Sequence, residues 1–266
     1  MPVAMKRMLG SLAWSPLVLV ALLAGCRPPT DARAEPDDLL VADAPATRQQ
    51  APLGGSPSEL RPASVAEPPA KSRPRVLVLG DSLLFGAFGS SLEENLRGRG
   101  GDVWLHGSCG ASSVSFLRGI RSECGSVHHE PDKAVLRVTG PSATPKLESM
   151  LAGVRPDVAV LVLGTNFLCC SAQSAPDVRE LVDRLAEAHV PCLWVGLPSF
   201  HEPPSASLAR HYAMLEGALA DRCTLLDARS LGIDFRHVGD KVHVEPESGR
   251  AWAQVVARAA LRDAMP

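Results

Sequence analysis

From Arg75 onward the chain alternates two textures: short runs of valine, leucine and other apolar residues, and longer stretches whose apolar residues recur at helical spacing. The runs are Arg75-Val-Leu-Val-Leu79, Val103–His106, Val158–Leu163, Leu193–Leu197 and Thr224–Asp227. Runs that are apolar without alternation suit strands buried on both faces of a parallel sheet. Helical patterns fall between and after them, at Lys146–Val154, Asp177–His189, Leu208–Ala220 and Glu247–Leu261. Val178, Leu181, Val182 and Leu185 make one such face, and Ser91-Leu-Glu-Glu94 offers a capping box ahead of Leu96. Strands alternating with helices mean βαβ units with right-handed crossovers. The expectation is an α/β domain over 74–266, doubly wound and flavodoxin-like, with three layers around a central parallel sheet of about five strands. Only Ile120–Pro145 fits the alternation poorly, so an insertion is expected at about 120–145, with its own strand at Ala134–Val138.

The residues before this domain read differently. Lys6 and Arg7 precede an apolar run, Leu9 to Leu23, that ends in Leu23-Ala24-Gly25-Cys26. A basic start, an apolar stretch and small residues at a cleavage point describe a secretory signal over residues 1–25. A retained membrane helix is the competing reading. It is disfavoured because the run falls short of the roughly 20 apolar residues a bilayer requires, and Ser11, Ser15 and Pro16 interrupt it. Residues 26–73 are rich in proline, alanine, serine and acidic residues without an apolar period. Such a stretch buries too little to offset its ordering entropy and is expected to be a disordered tether. Leu-Ala-Gly-Cys26 also resembles the bacterial lipobox, which implies cleavage before Cys26, lipidation of that cysteine and stable membrane anchoring through its acyl chains.

Composition narrows the function classes. A net charge of −2 and 4% aromatic residues leave no basic field with interleaved rings, so nucleic-acid binding is not expected. Setting Cys26 aside, six cysteines remain (109, 124, 169, 170, 192 and 223), an even number suited to disulfides in an exported chain. They allow 15 connectivities. Cys192 and Cys223, at the starts of two strands that could be neighbours, are either a pair or two buried thiols. No Cys-x-x-Cys spacing supports a zinc ribbon. His128-His129 lacks acidic or cysteine partners at ligand spacing and reads as surface loop rather than metal site.

In a doubly wound sheet the functional loops lie beyond the carboxyl ends of the strands. The first strand runs into Gly80-Asp81-Ser82-Leu83, the third into Gly164-Thr165-Asn166, and Gly239-Asp240-Lys241-Val242-His243 precedes the last helix. Each alone reads as a turn or cap: Ser82 as a helix cap, Asn166 as a turn residue, Asp-x-x-His as a surface loop. Together they supply a nucleophile, a base, a carboxylate that orients the base, and an amide donor.

In this order the segments resemble the SGNH (GDSL) hydrolases. Gly80-Asp81-Ser82-Leu83 matches the first block, Gly164-Thr-Asn166 the Gly-x-Asn of the third, and Asp240-Lys-Val-His243 the fifth. Gly110, within Leu105-His-Gly-Ser-Cys-Gly110-Ala-Ser-Ser, falls where the second block has its glycine, and Gly107 is the alternative. The resemblance implies a catalytic triad of Ser82, Asp240 and His243. It implies an oxyanion hole from the backbone N–H groups of Ser82 and Gly110 and the side-chain amide of Asn166. Asp81 is expected to support its turn rather than react. Phe167 departs from the family, which usually has aspartate after the block-three asparagine. Cys169-Cys170 either compensates or is structural, and Ser112, Ser113 and Ser115 could line the pocket; His201 and His211 have no assigned role. No Gly-x-Ser-x-Gly elbow is present.

The resemblance and the export signal together imply a monomeric, cofactor-independent esterase or deacylase in the bacterial cell envelope, anchored to the membrane through Cys26. Its expected substrates are carboxylic esters, chiefly O-acetyl or short acyl groups on envelope or extracellular glycans. Lipase, thioesterase and acyltransferase activities share the family. A catalytically silent glycan-binding surface lipoprotein is the alternative from another class.

Overall fold

Strand β1 (Arg75–Gly80) is buried along most of its length, and its side chains feed two different cores. The computed structural model describes residues 73–170, 174–199 and 205–264; the expected signal peptide, Cys26, the tether as far as residue 72 and His201 lie outside them. After β1 a 3-10 turn (Ser82–Phe85) leads into α1 (Ala87–Gly98), β2 (Asp102–Ser108) and α2 (Ser113–Arg118). The chain continues through β3 (Ser126–His129), β4 (Leu136–Val138), α3 (Leu147–Val154), β5 (Val158–Val162), α4 (Thr165–Cys170) and α5 (Ala175–Glu187). It ends with β6 (Cys192–Val195), α6 (Ser205–Leu219), β7 (Thr224–Leu226) and α7 (Pro246–Ala264).

The strands form one sheet in the order β4-β3-β2-β1-β5-β6-β7. The five strands expected from the sequence are β2-β1-β5-β6-β7, all parallel, in the doubly wound order. Alternation along β1 divides the layers. Val76 and Val78 join Leu92, Leu96, Trp252 and Val256 on the face covered by α1 and α7. Leu77 and Leu79 join Phe116, Met150, Leu181 and Leu215 on the other. Trp252 is fully buried with its ring centroid 4.2 Å from that of Phe88, which locks α7 onto the start of α1. At the amino end of β1, the Asp157 carboxylate accepts from the Arg75 backbone N–H at 2.7 Å and from its guanidinium. That contact fixes where β1 and β5 begin.

Three local expectations change. Helix α1 begins at Ala87 with Gly86 as its cap, so Ser91 lies inside the helix on its buried side and opens no capping box. The apolar stripe Phe88, Leu92 and Leu96 sets the helix in position, and packing of that stripe decides the start over a local capping signal. The insertion holds two strands rather than one. β3 and β4 pair antiparallel and extend the sheet beyond β2, with the expected Ala134–Val138 strand realised as Leu136–Val138. His128 and His129 therefore lie on β3, not on a surface loop. Val127 between neighbours of opposite character gives β3 its inward anchor, an alternation too short to read beforehand.

Two disulfides are present among the described residues. Cys192 and Cys223 are bonded, with Cα atoms 4.9 Å apart, where β6 and β7 start side by side. Cys109 and Cys124 are bonded with Cα atoms 5.5 Å apart, joining the end of β2 to the approach to β3. The side chains of Cys169 and Cys170 lie outside the described residues.

Candidate functional site

The sheet order reverses at β1: the chain crosses to β2 on one side and later to β5 on the other. The crevice at such a point, beyond the carboxyl ends of the strands, is where open α/β sheets place their ligands. Gly80, the last residue of β1, stands in register with Gly107 of β2 and Val162 of β5. A Cβ on Gly80 would come within 2.8 Å of both Leu84 Cγ and the Val162 carbonyl. Only glycine lets the 3-10 turn fold back this tightly.

Asp81 then holds the turn. Its side chain is fully buried, and one carboxylate oxygen accepts from the Leu83 N–H at 3.0 Å, which caps the 3-10 turn. The other accepts from the N–H groups of Gly164 and Thr165, at 3.3 and 3.2 Å, and from the Thr165 hydroxyl at 2.6 Å. Burial pushes the Asp81 carboxyl up from its ordinary value, against the pull of these donors. The expected supporting role of Asp81 thus extends across the crevice, because it ties the Ser82 turn to the Asn166 loop.

Ser82, the first residue of the 3-10 turn, is partly exposed. Its Oγ lies 2.8 Å from His243 Nε2, and His243 Nδ1 lies 2.6 Å from Asp240 Oδ2. A neutral imidazole that donates from Nδ1 to the carboxylate accepts at Nε2, so the Ser82 hydroxyl donates to the ring. Asp240 and His243 sit in a small hairpin before α7. His237 bridges Val244 there, and the Val238 N–H donates to the His243 carbonyl at 2.9 Å. The other Asp240 oxygen accepts from the Val242 and His243 N–H groups, both at 2.9 Å. Partial burial pushes this carboxyl up, but the His243 N–H, the His243 ring and the Val242 N–H outweigh it and hold Asp240 at about 2.

The remaining predicted residues lie at the ends of β2 and β5. Gly107 is inside β2, where a Cβ would meet Val127 Cγ1 at 2.8 Å; its place is in sheet packing. Gly110 lies beyond the strand at φ +75°, a left-handed conformation that favours glycine. The Ala111 N–H donates to the Ser108 carbonyl at 3.1 Å and closes this turn. The Ala111 carbonyl accepts from Asn166 Nδ2 at 2.9 Å, so the β2 and β5 loops meet directly. That bond fixes the plane of the Asn166 amide, hence the direction of its second N–H.

Phe167 packs on a residue that sequence reading left without a role. Its ring centroid is 4.8 Å from that of His211 on α6, which is fully buried and held down at about 4 by that burial. Both His211 ring nitrogens lack a hydrogen-bond partner among the described residues. An aromatic contact with a neutral imidazole thus stands where the resemblance leads one to expect aspartate. Ser112, Ser113 and Ser115 are buried at the start of α2, and the Ser112 N–H donates to Ser115 Oγ at 3.1 Å. They build the helix start. The histidines of β3 are tied into the fold. His128 Nδ1 lies 2.9 Å from His106 Nδ1, and His129 pairs with Glu93 of α1. Among the described residues, no group of three or more histidine, cysteine or acidic side chains could hold a metal ion. Sequence reading also missed Arg137 of β4, whose guanidinium donates to the Phe85 carbonyl at the end of the Ser82 turn, at 3.1 Å.

No protein-family model matches the sequence, and no curated protein matches it either. Solved structures do match. The acetyl xylan esterase AlAXEase is similar over 70% of this chain and 98% of its own, at 15% identity and a TM-score of 0.51. A candidate acylhydrolase from Bacteroides fragilis is similar over 74% of this chain and 90% of its own, at 15% identity and a TM-score of 0.52. A candidate SGNH hydrolase from Slackia heliotrinireducens is similar over 69% and 97%, at 20% identity and a TM-score of 0.50. At these identities the likeness establishes a common fold, the α/β architecture anticipated from strands alternating with helices.

The Asp81 clamp carries a stability prediction. Asp81→Asn exchanges an acceptor for an NH₂ group among the donors of Leu83, Gly164 and Thr165. It should lower the unfolding free energy by about 1–3 kcal/mol. Urea unfolding measures this, and an unchanged midpoint would remove Asp81 from the clamping role.

Proposed function

We propose that this chain is a serine hydrolase of the SGNH type that cleaves carboxylic esters through an acyl-enzyme on Ser82. The observation that carries the proposal is the continuous hydrogen-bonded series Ser82 Oγ, His243 Nε2, His243 Nδ1 and Asp240 Oδ2 at the switch point of the sheet. Ser82 attacks the ester carbonyl as His243 takes its proton, and the imidazolium that forms faces the Asp240 carboxylate. His243 then returns the proton to the departing alcohol. Water then attacks the acyl carbonyl as His243 takes its proton, and His243 returns that proton to Ser82 Oγ as the acyl–Ser82 bond breaks and the carboxylic acid leaves. Asp240, held at about 2, is ionised through neutral pH, and its two amide donors keep it aimed at Nδ1.

Negative charge develops on the carbonyl oxygen during each attack. The donors assigned to it are the N–H groups of Ser82 and Gly110 and the side-chain amide of Asn166. Two contacts support that assignment: the Asn166–Ala111 hydrogen bond joins two of the three loops, and Asp81 joins the third to the Asn166 loop. The reaction as written draws on no metal or organic cofactor.

The substrates proposed are O-acetyl or other short acyl esters on envelope or extracellular glycans. The export signal supports this class, and so does a fold shared with an acetyl xylan esterase. The mature chain is proposed to begin at Cys26, lipidated and tethered by residues 26–73 to the membrane of a bacterial envelope.

Two experiments test these readings. A fluorophosphonate probe should label Ser82, and Ser82→Ala should lower kcat for an activated acetyl ester by about 10⁴–10⁶-fold. Labelling at another serine, or hydrolysis that survives Ser82→Ala, would refute the assignment. Radiolabelled palmitate supplied to producing cells should enter the wild-type chain and not Cys26→Ala. Equal incorporation into both would refute the anchor.

A further inference from the structure

The residue next to Gly110 is Cys109, and the bond from Cys109 to Cys124 closes a loop that contains Gly110, Ala111 and the whole of α2. This loop is the arm that would bring the Gly110 N–H to the oxyanion, and its Ala111 carbonyl holds the Asn166 amide that would donate there as well. Gly110 is exposed, and no atom lies within 4 Å of where its side chain would be, so side-chain packing does not hold it.

Besides the Ala111–Ser108 hydrogen bond that closes the turn, what holds it is at the base of the arm. The Cys109 N–H donates to the Gly125 carbonyl at 2.9 Å. The Ser122 hydroxyl lies 2.8 Å from the Cys109 carbonyl and 3.0 Å from that of Gly125. Ser122 is bridged in turn to Ser142, on the far side of the β3–β4 hairpin, by two backbone hydrogen bonds of 2.9 Å. The insertion therefore supplies every one of these anchors, and Cys109–Cys124 is its covalent link to the arm.

We propose that Cys109–Cys124 is a positioning element for ester hydrolysis: it fixes the Gly110 turn so that the oxyanion donors are in place before charge develops. The inference rests on the hydrolase reading above. A preorganised donor lowers the barrier because no reorganisation is required during the attack. A turn freed from its covalent anchor samples other orientations and loses part of that effect. Cys192–Cys223 lies at the amino ends of β6 and β7, away from the crevice, and serves as the internal control.

The test compares two double variants with wild type on an activated acetyl ester. Cys109→Ser with Cys124→Ser should lower kcat about tenfold or more, toward the 10²–10³-fold cost of losing a whole oxyanion donor, with KM within about twofold. Cys192→Ser with Cys223→Ser should lower the unfolding midpoint and keep kcat. Unchanged kcat in the folded first variant, or an equal fall in both, would overturn the proposal. Should the first variant fail to fold, Ser122→Ala loosens the same base, and a kcat that does not fall there overturns it as well. If wild type hydrolyses no ester, the hydrolase reading fails separately. Amide exchange at Gly110 and Ala111 then decides: faster exchange in the Cys109/Cys124 variant supports the brace, and equal exchange overturns it.

Discussion

The site depends on one buried carboxylate. Asp81 binds four donors drawn from two loops: the N–H of Leu83 in its own turn, and the Gly164 N–H, Thr165 N–H and Thr165 hydroxyl beyond β5. A fully buried carboxylate without such partners would cost several kcal/mol, and a surplus of donors without it would cost similarly. Each side therefore requires the other. The consequence is geometric: one hydrogen bond to the turn that Ser82 begins and three to the loop that carries Asn166 set the two residues in relation to one another. His243 then completes the arrangement from the opposite end of the chain, brought there by α7, whose Trp252 packs against Phe88 just after the Ser82 turn.

Much of this was legible in the sequence because strong local signals coincide with global packing. The β1, β5 and β6 runs are apolar throughout, and each is observed buried on both faces. Ser82, Asp240 and His243 stand out only as a set: each segment alone reads as a turn or cap, and it is the resemblance to the SGNH blocks, in their order, that implies roles for them. What stayed hidden depends on contacts between distant segments. Gly107 and Gly110 look equivalent in the chain, and only register separates them: one opposes Gly80 within the sheet, the other turns at positive φ beyond it. The Asp81–Thr165 bond joins residues far apart in sequence and leaves no periodic trace. Ser91 gave a capping signal that the apolar stripe of α1 overrode.

The insertion shows the same limit. Its two strands are four and three residues long, too short for a periodicity argument, and its placement beside β2 depends on Val127 entering the core. A signal was nevertheless present. Cys109 and Cys124 flank the segment that carries Gly110 and α2, and were the chain exported, as its N-terminus leads one to expect, bonding between such flanking cysteines would be a natural reading. Phe167 was read as a departure from the resembled family. Its contact with the buried, uncharged ring of His211 gives that departure a physical setting, with an aromatic pair packed beneath the Asn166 loop.

In the proposed reaction, the loops gathered by Asp81 present donors to a charge that exists only during the attack. Steady-state kinetics of Asn166→Ala with an activated acetyl ester measure this most directly. The hydrogen bond from an amide that engages the oxyanion strengthens as charge develops, so kcat should fall about 10²–10³-fold, near 2.7–4 kcal/mol, with little change in KM. A folded Asn166→Ala enzyme with near-normal kcat, or one changed in KM alone, would contradict it.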